Sequence, residues 1–166
     1  MSTGIKAHFR IVGKGRVVLE KCLDQEFCFN LLKSGYADIN GNLDVLEAAH
    51  LLALGRIAVD NKTGWEEALR VLSELGINIS TFLVYHDLRK RGRRVKLGSR
   101  SGTLVVDMGS RRFEVLILEE GKLMTLEELA EWSRSSIASG YEPVVAIVDM
   151  YGVITYYEAR VTLEIQ

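Results

Sequence analysis

The chain has 166 residues, 48% of them hydrophobic, with 21 Lys+Arg against 22 Asp+Glu and a net charge of -1. That is enough apolar material for one domain with a proper core or two small domains sharing an interface. A single proline and the lack of low-complexity runs argue against a long disordered linker, and no apolar run reaches the roughly 20 residues that span a bilayer.

The opening "MSTGIKAHFR" lacks the apolar centre of a signal peptide, which points to a cytoplasmic protein with no membrane partner. Cys22 and Cys28 are read as reduced, packing cysteines. They stand six apart without a CxxC pattern or a histidine cluster, so no metal site is expected.

In chain order, "HFRIV" and "RVVLE" around Gly13-Lys14-Gly15 predict a β-hairpin. "DQEFCFNLLKSG" predicts a helix with Phe27, Cys28, Leu31 and Leu32 on one face and Gly35 as its stop. "NLDVLEAAHLLALG" repeats the design, with Asn42 as cap, Val45, Leu46, Ala49 and Leu52 inward and Gly55 as stop. A short strand "RIAV" follows. In "TGWEEALRVLSELG", Thr63 and Glu66 have capping-box spacing, Trp65, Ala68, Leu69 and Leu72 form the stripe, and Gly76 ends the helix.

The next helix, "STFLVYHDLRKRG", is capped near Ser80 and stopped by Gly92, and its basic residues run on into a loop. Beyond it, "TLVVDM", "RFEVLILEE", "PVVAIVD" and "VITYYEARVTLEI" read as strands. One helix interrupts them; it opens on a Thr125/Glu128 capping box, carries Leu129, Trp132 or Ser133 and Ile137 inward, and stops at Gly140. An α-rich part over residues 1–77 thus precedes a part built on a mixed sheet over 78–166, an α+β chain.

Two features stand out. Between Thr81 and Arg100 seven residues are basic (Arg89, Lys90, Arg91, Arg93, Arg94, Lys96, Arg100) and only Asp87 is acidic, a third of the chain's positive charge in twenty residues. A one-sign cluster in a near-neutral chain suits a polyanion or an acidic protein surface. Second, the chain ends in an apolar, β-prone run, with Val161, Leu163 and Ile165 on one face, that suits pairing with another chain.

Candidate catalytic groups are scarce. Tyr85 and His86 point about 100° apart on a helix and do not converge. His50 reads as a hydrogen-bonded, partly buried histidine, and Asp38, Asp44 and Glu47 as turn, cap and surface carboxylates. The nucleotide-cradling glycine motifs and the GxSxG elbow are missing.

"LVYHDLRKRGRRVKLG" resembles the signature that opens the nuclease domain of the archaeal tRNA-splicing endonuclease family. "DQEFCFNLLKSGYADINGNLDVLEAAHLLALGRIAV" is similar to that family's N-terminal domain and "VVAIVDMYGVITYYEA" to its closing hairpin, so the likeness spans roughly residues 16–160 in order. The resemblance implies a small α/β N-terminal domain followed by a restriction-endonuclease-like C-terminal domain. It also implies metal-free chemistry without a cofactor, in which a tyrosine base, a histidine acid and a lysine drive the 2′-hydroxyl onto its own phosphate. The products carry a 2′,3′-cyclic phosphate and a 5′-hydroxyl.

At the three positions this chain has Met108, Arg112 (or Arg111) and Tyr141. A methionine accepts no proton and an arginine stays protonated, so the resemblance implies a structural, non-catalytic subunit that pairs two-plus-two with a homologous catalytic chain on precursor tRNA. Arg89, Arg91, Arg93, Arg94, Lys96 and Arg100 are then candidates for RNA contact. Arg134 in "EWSRSSIASGY" joins them, since it stands where the family has an arginine that grips a bulged base. The turn Asp149-Met150-Tyr151 corresponds to an acidic loop that docks into the opposite dimer, and the strand with Val161, Leu163 and Ile165 to the dimer strand. Two alternatives remain open: a self-sufficient nuclease using Tyr85, His86 or Tyr141, and a nucleic-acid-binding module outside tRNA splicing.

Overall fold

A computed structural model describes residues 4–160. Val161, Leu163 and Ile165, the expected dimer-strand residues, lie outside the described residues. The chain divides into two compact units between Phe82 and Leu83.

In the first unit, β1 (Ala7–Val12) and β2 (Arg16–Cys22) form the expected antiparallel hairpin, with a bulge between His8 and Phe9. After β2 the chain turns into α1 (Gln25–Lys33), capped by Asp24, whose carboxylate accepts from the Phe27 amide at 3.0 Å. This turn brings Cys22 and Cys28 together, and they form a disulfide with a Cα–Cα distance of 6.5 Å. The expectation of reduced cysteines is therefore corrected. Spacing alone hid the pair, because the last residue of a strand and the first turn of a helix meet only when the chain folds back between them.

Next come β3 (Asn42–Leu43) and α2 (Val45–Ala53). The cap of α2 is Asp44, which accepts from the Glu47 amide at 3.1 Å, and not Asn42. Asn42 is taken up in pairing with Val18 and its side chain donates to Asp38. Helix α2 is buried nearly all round, from Leu46 to Leu52, so Glu47 is an interior carboxylate and not a surface one. His50 is buried beside it.

β4 (Ile57–Val59) adds to β1 in parallel and completes the sheet order β3-β2-β1-β4. α3 (Trp65–Glu74) starts at Gly64 and lacks the expected capping box, because Thr63 instead donates its hydroxyl to Leu52. Its stripe is rotated from the expected one. Glu67, Ala68, Val71 and Leu72 are buried, while Trp65 and Leu69 stand half exposed. Burial of Glu67 is made tolerable by Arg70, whose Nε donates to it at 2.9 Å.

α4 (Ile79–Lys90) begins at Asn78, whose side-chain oxygen accepts from the Ser80 amide at 2.7 Å, two residues before the expected cap. Gly92, at φ 75°, ends it as expected. The residues after it form a strand that the sequence reading treated as loop, β5 (Arg94–Leu97), with Val95 buried between outward Arg94 and Lys96. The basic residues obscured an ordinary in–out alternation.

β6 (Thr103–Met108), β7 (Arg111–Glu119), α5 (Leu126–Ala138), β8 (Glu142–Val148) and β9 (Ile154–Glu158) follow. The sheet order is β5-β6-β7-β8-β9. β7 and β8 run parallel, joined across α5, and the other neighbours are antiparallel. α5 has the expected Thr125/Glu128 capping box and packs Trp132 and Leu129 on Leu116 and Val145. Its inward face runs through Ser133 and Ser136, and Ile137 is half exposed. The architecture is α+β.

Candidate nucleic-acid interface and the catalytic positions

The basic segment is less uniform than its sequence suggests, because several of its cations serve the fold. Arg89 donates through Nη1 to the Arg93 carbonyl at 2.9 Å, tying the last turn of α4 to the residue that leads into β5. Arg91 donates through Nε to Asp87 at 2.9 Å and lies 5.7 Å from the Tyr156 ring centre. That hydrogen bond holds its pKa above the ordinary arginine value. Arg100 makes a two-point pair with Glu114, at 3.2 and 2.7 Å, and Glu114 is only 2% exposed. Removing Arg100 would strand a buried carboxylate. Arg94 and Lys96 face outward from β5 and Arg93 sits at the bend between helix and strand. Arg134 is exposed on α5 and donates to the Ala130 carbonyl at 3.2 Å.

Lys96, Arg100 and Arg112 come together around a cleft of about 490 Å³, whose other walls include Asp107, Glu114 and Tyr141. The strand pairing explains this. Lys96 stands opposite Val105, Val105 opposite Glu114, and Asp107 opposite Arg112, so alternate residues of β5, β6 and β7 share one face. Tyr141 enters from the turn between α5 and β8.

Arg112 and Tyr141, two of the three residues singled out from the sequence, meet in this cleft. Arg112 donates through Nε to Asp107 at 3.1 Å and through Nη2 to the Tyr141 hydroxyl at 3.0 Å, and its guanidinium lies 4.7 Å from the Tyr141 ring centre. Met108, at the end of β6, pairs in register with Arg111. Arg111 crosses to Glu142 on β8, with Nε at 2.7 Å, and holds that carboxyl below the usual range. The set offers hydrogen-bond donors and fixed positive charge. Its arginines stay protonated and accept no proton, and the carboxylates Asp107 and Glu142 are paired with them.

Tyr85 and His86, the other candidates, lie on α4. Both are buried, and burial, aided by Lys90, pushes the His86 pKa down. Sequence reasoning passed over Asp107, Glu114 and Tyr156. The period-2 alternation places them on particular faces, but their partners are fixed by strand register and, for Tyr156, by the docking of α4.

In the turn between β8 and β9, Asp149 Oδ1 accepts from the Tyr151 and Val153 amides, each at 2.8 Å. This shapes the turn and leaves Met150 and Tyr151 about 80% exposed, at 79% and 83%. Among the described residues no helix is long and apolar enough to cross a membrane.

A family model described as "tRNA-intron endonuclease SEN2-like, N-terminal domain" matches residues 5–75, and one described as "tRNA intron endonuclease, catalytic C-terminal domain" matches residues 78–156. The chain belongs to the tRNA intron endonuclease family. It is similar to a tRNA-splicing endonuclease of Methanothermobacter thermautotrophicus (strain Delta H), with 28% identity over 126 residues, covering 69% of this chain and 74% of that protein. As a member of the tRNA intron endonuclease family, the chain has its cleft on the second unit, within the stretch matched by the catalytic-domain model.

Proposed function

We propose that this chain is a structural, catalytically inert subunit of a tRNA-splicing endonuclease. It joins a homologous catalytic chain in a two-plus-two assembly. There it positions precursor tRNA for cleavage at bulge-helix-bulge introns, in the cytoplasm, with the catalytic chain making the 2′,3′-cyclic phosphate and 5′-hydroxyl ends. Its working parts are an N-terminal domain over 1–77 and a nuclease-like domain over 78–166.

The observation that carries this reading is the Arg112–Asp107–Tyr141 arrangement. In this reading an arginine against a tyrosine ring and tied to a carboxylate stands in for the family's base, acid and lysine. Arg93 at the bend and outward Arg94 and Lys96, with Arg134, are the proposed RNA contacts, and Met150 and Tyr151 the proposed docking loop.

The deciding experiment incubates purified chain with a bulge-helix-bulge RNA, alone and together with a homologous chain bearing the Tyr/His/Lys set. No cleavage alone and cleavage by the pair is the expected result. Cleavage by the chain alone would make it a self-sufficient nuclease. RNA binding without association with any such chain would make it a binding module outside splicing.

A further inference from the structure

The first unit keeps its charges apart. Its β1–β2 hairpin carries Arg10, Lys14, Arg16 and Lys21 against a single carboxylate, Glu20. The rest of the unit has Lys6, Lys33, Arg56, Lys62 and Arg70 against nine Asp+Glu. A basic hairpin thus stands in an otherwise acidic unit.

Strand register gathers these cations on one face. His8–Lys21, Arg10–Val18 and Val12–Arg16 are alternate rungs of the hairpin, and alternate residues of a strand share a face at about 6.8 Å per step. Simple alternation from Arg16 and Val18 would bring Glu20 opposite His8. The bulge between His8 and Phe9 inserts one residue and sets Lys21 there instead. Arg10, Arg16 and Lys21 are exposed, and so is Lys14 in the turn. The opposite face, with Ala7, Phe9 and Val17, is buried. The turn is held in place, because Gly15, at φ 96°, lies so close to the end of α3 that an added Cβ would collide with the Leu75 side chain.

The fold does not use these cations. Among the described residues, none of the four makes a salt bridge or a side-chain hydrogen bond. In the segment 89–100, by contrast, Arg89, Arg91 and Arg100 all have partners. Arg16 exerts only a coulombic pull on Asp38, whose carboxyl is lowered first by Asn42 and whose oxygens accept from Asn40 and Asn42. A row of unpaired cations on a fixed scaffold suits a row of phosphates. The hairpin's one Phe, Tyr or Trp ring, Phe9, is buried on the other side, so the face has nothing on which a base would stack. The chain belongs to a family that acts on RNA, which favours RNA over other polyanions.

We propose that the outer face of the β1–β2 hairpin, through Arg10, Arg16 and Lys21 with Lys14 at its tip, is a second RNA-binding surface that holds the sugar–phosphate backbone of a helical RNA without reading its sequence. That this RNA is a precursor tRNA rests on the function proposed above; the phosphate-binding face does not.

Binding of the full chain alone to a bulge-free RNA duplex, followed by fluorescence anisotropy against salt, tests the face. Arg10→Gln with Arg16→Gln and Lys21→Gln removes three exposed cations and no side-chain contact of the fold. The slope of log affinity against log salt should flatten by roughly 2.1–2.7, at about 0.7–0.9 per phosphate contact. Between about 50 and 200 mM salt the wild type should therefore lose roughly 20–40-fold more affinity than the variant. Two duplexes of different sequence should give the same slopes. Lys33→Gln with Lys62→Gln removes charge elsewhere on the unit and should leave the slope as in the wild type. An unchanged slope in the triple variant overturns the proposal. Equal flattening per residue in Lys33→Gln/Lys62→Gln also overturns it, since net charge alone would then account for the effect.

Two further results separate this face from the reading it rests on. Flattening by Arg93→Ala/Arg94→Ala without flattening by the triple variant overturns the hairpin face and leaves RNA binding by the second unit. Cleavage of a bulge-helix-bulge RNA by the chain alone overturns the inert subunit, and the duplex titration still decides the hairpin face. Loss of association with the homologous catalytic chain in the triple variant, at an unchanged RNA slope, overturns RNA as the occupant and gives the face to a protein.

Discussion

Removal of the Cys22–Cys28 disulfide is the clearest perturbation of the first unit. The bond closes a loop with a sequence separation of 6. For so short a loop the chain-entropy relation gives about 2 kcal/mol of stabilisation at 25 °C, because the cross-link removes few conformations from the unfolded chain. The same turn also carries the Lys6–Asp24 ion pair at 2.6 Å and the Asp24 cap on Phe27. Those contacts remain possible without the disulfide, so the loss should stay near the entropic figure. Unfolding of the whole chain as one cooperative unit turns about 2 kcal/mol into a fall in Tm of about 4–8 °C, and independent unfolding of the smaller first unit roughly doubles it. The assay is calorimetry on three samples: oxidised wild type, wild type in excess dithiothreitol, and Cys22→Ser/Cys28→Ser. The last two should coincide below the first. A Tm within about 1 °C across all three would refute the reasoning, meaning either that the unfolded chain already holds this turn closed or that the bond never forms.

Three further outcomes are expected. Arg93→Ala with Arg94→Ala should flatten the slope of log RNA affinity against log salt by roughly 1.4–1.8, at about 0.7–0.9 per phosphate contact; an unchanged slope would give those residues a role in protein contact. Restoring the triad by Met108→Tyr, Arg112→His and Tyr141→Lys should not yield a fully active chain. Asp107 loses its arginine partner and the new groups lack a shell that holds them to about 0.5 Å; robust single-chain cleavage of a bulge-helix-bulge RNA would defeat this. For pH, the Asp24 carboxyl is held below its usual value, first by the hydrogen bond from Lys6 and then by the Phe27 amide. A lowered folded-state pKa contributes stability that is present above the ordinary aspartate range and lost as pH falls through the folded value. Acid unfolding of Asp24→Asn should therefore be flatter than that of the wild type, and identical profiles would show that the Asp24 charge adds nothing to stability, since Asn keeps the cap.

The sequence by itself determined whatever depends on neighbours three or four residues apart. The β1–β2 hairpin, the glycine stops at Gly35, Gly55, Gly76, Gly92 and Gly140, and the Thr125/Glu128 box follow from local backbone chemistry that a short window contains. The expectation that Met108, Arg112 (or Arg111) and Tyr141 stand at the family's base, acid and lysine positions came from the resemblance in the sequence, and side-chain chemistry limits what those residues can do. Local rules failed where a residue had two possible partners. Asn42 pairs in β3 and yields the α2 cap to Asp44, and Thr63 turns back to Leu52 and leaves the α3 terminus to Gly64. What only the tertiary structure decided was pairing over distance. Cys22 meets Cys28 because the chain reverses between strand and helix. Arg100 is spent on Glu114 and Arg91 on Asp87 and Tyr156 because strand register and the docking of α4 bring them within reach. A run of positive charge records how many cations there are. Which of them remain for a polyanion depends on the carboxylates that the fold sets beside each one, and those lie from 4 to 14 residues away along the chain.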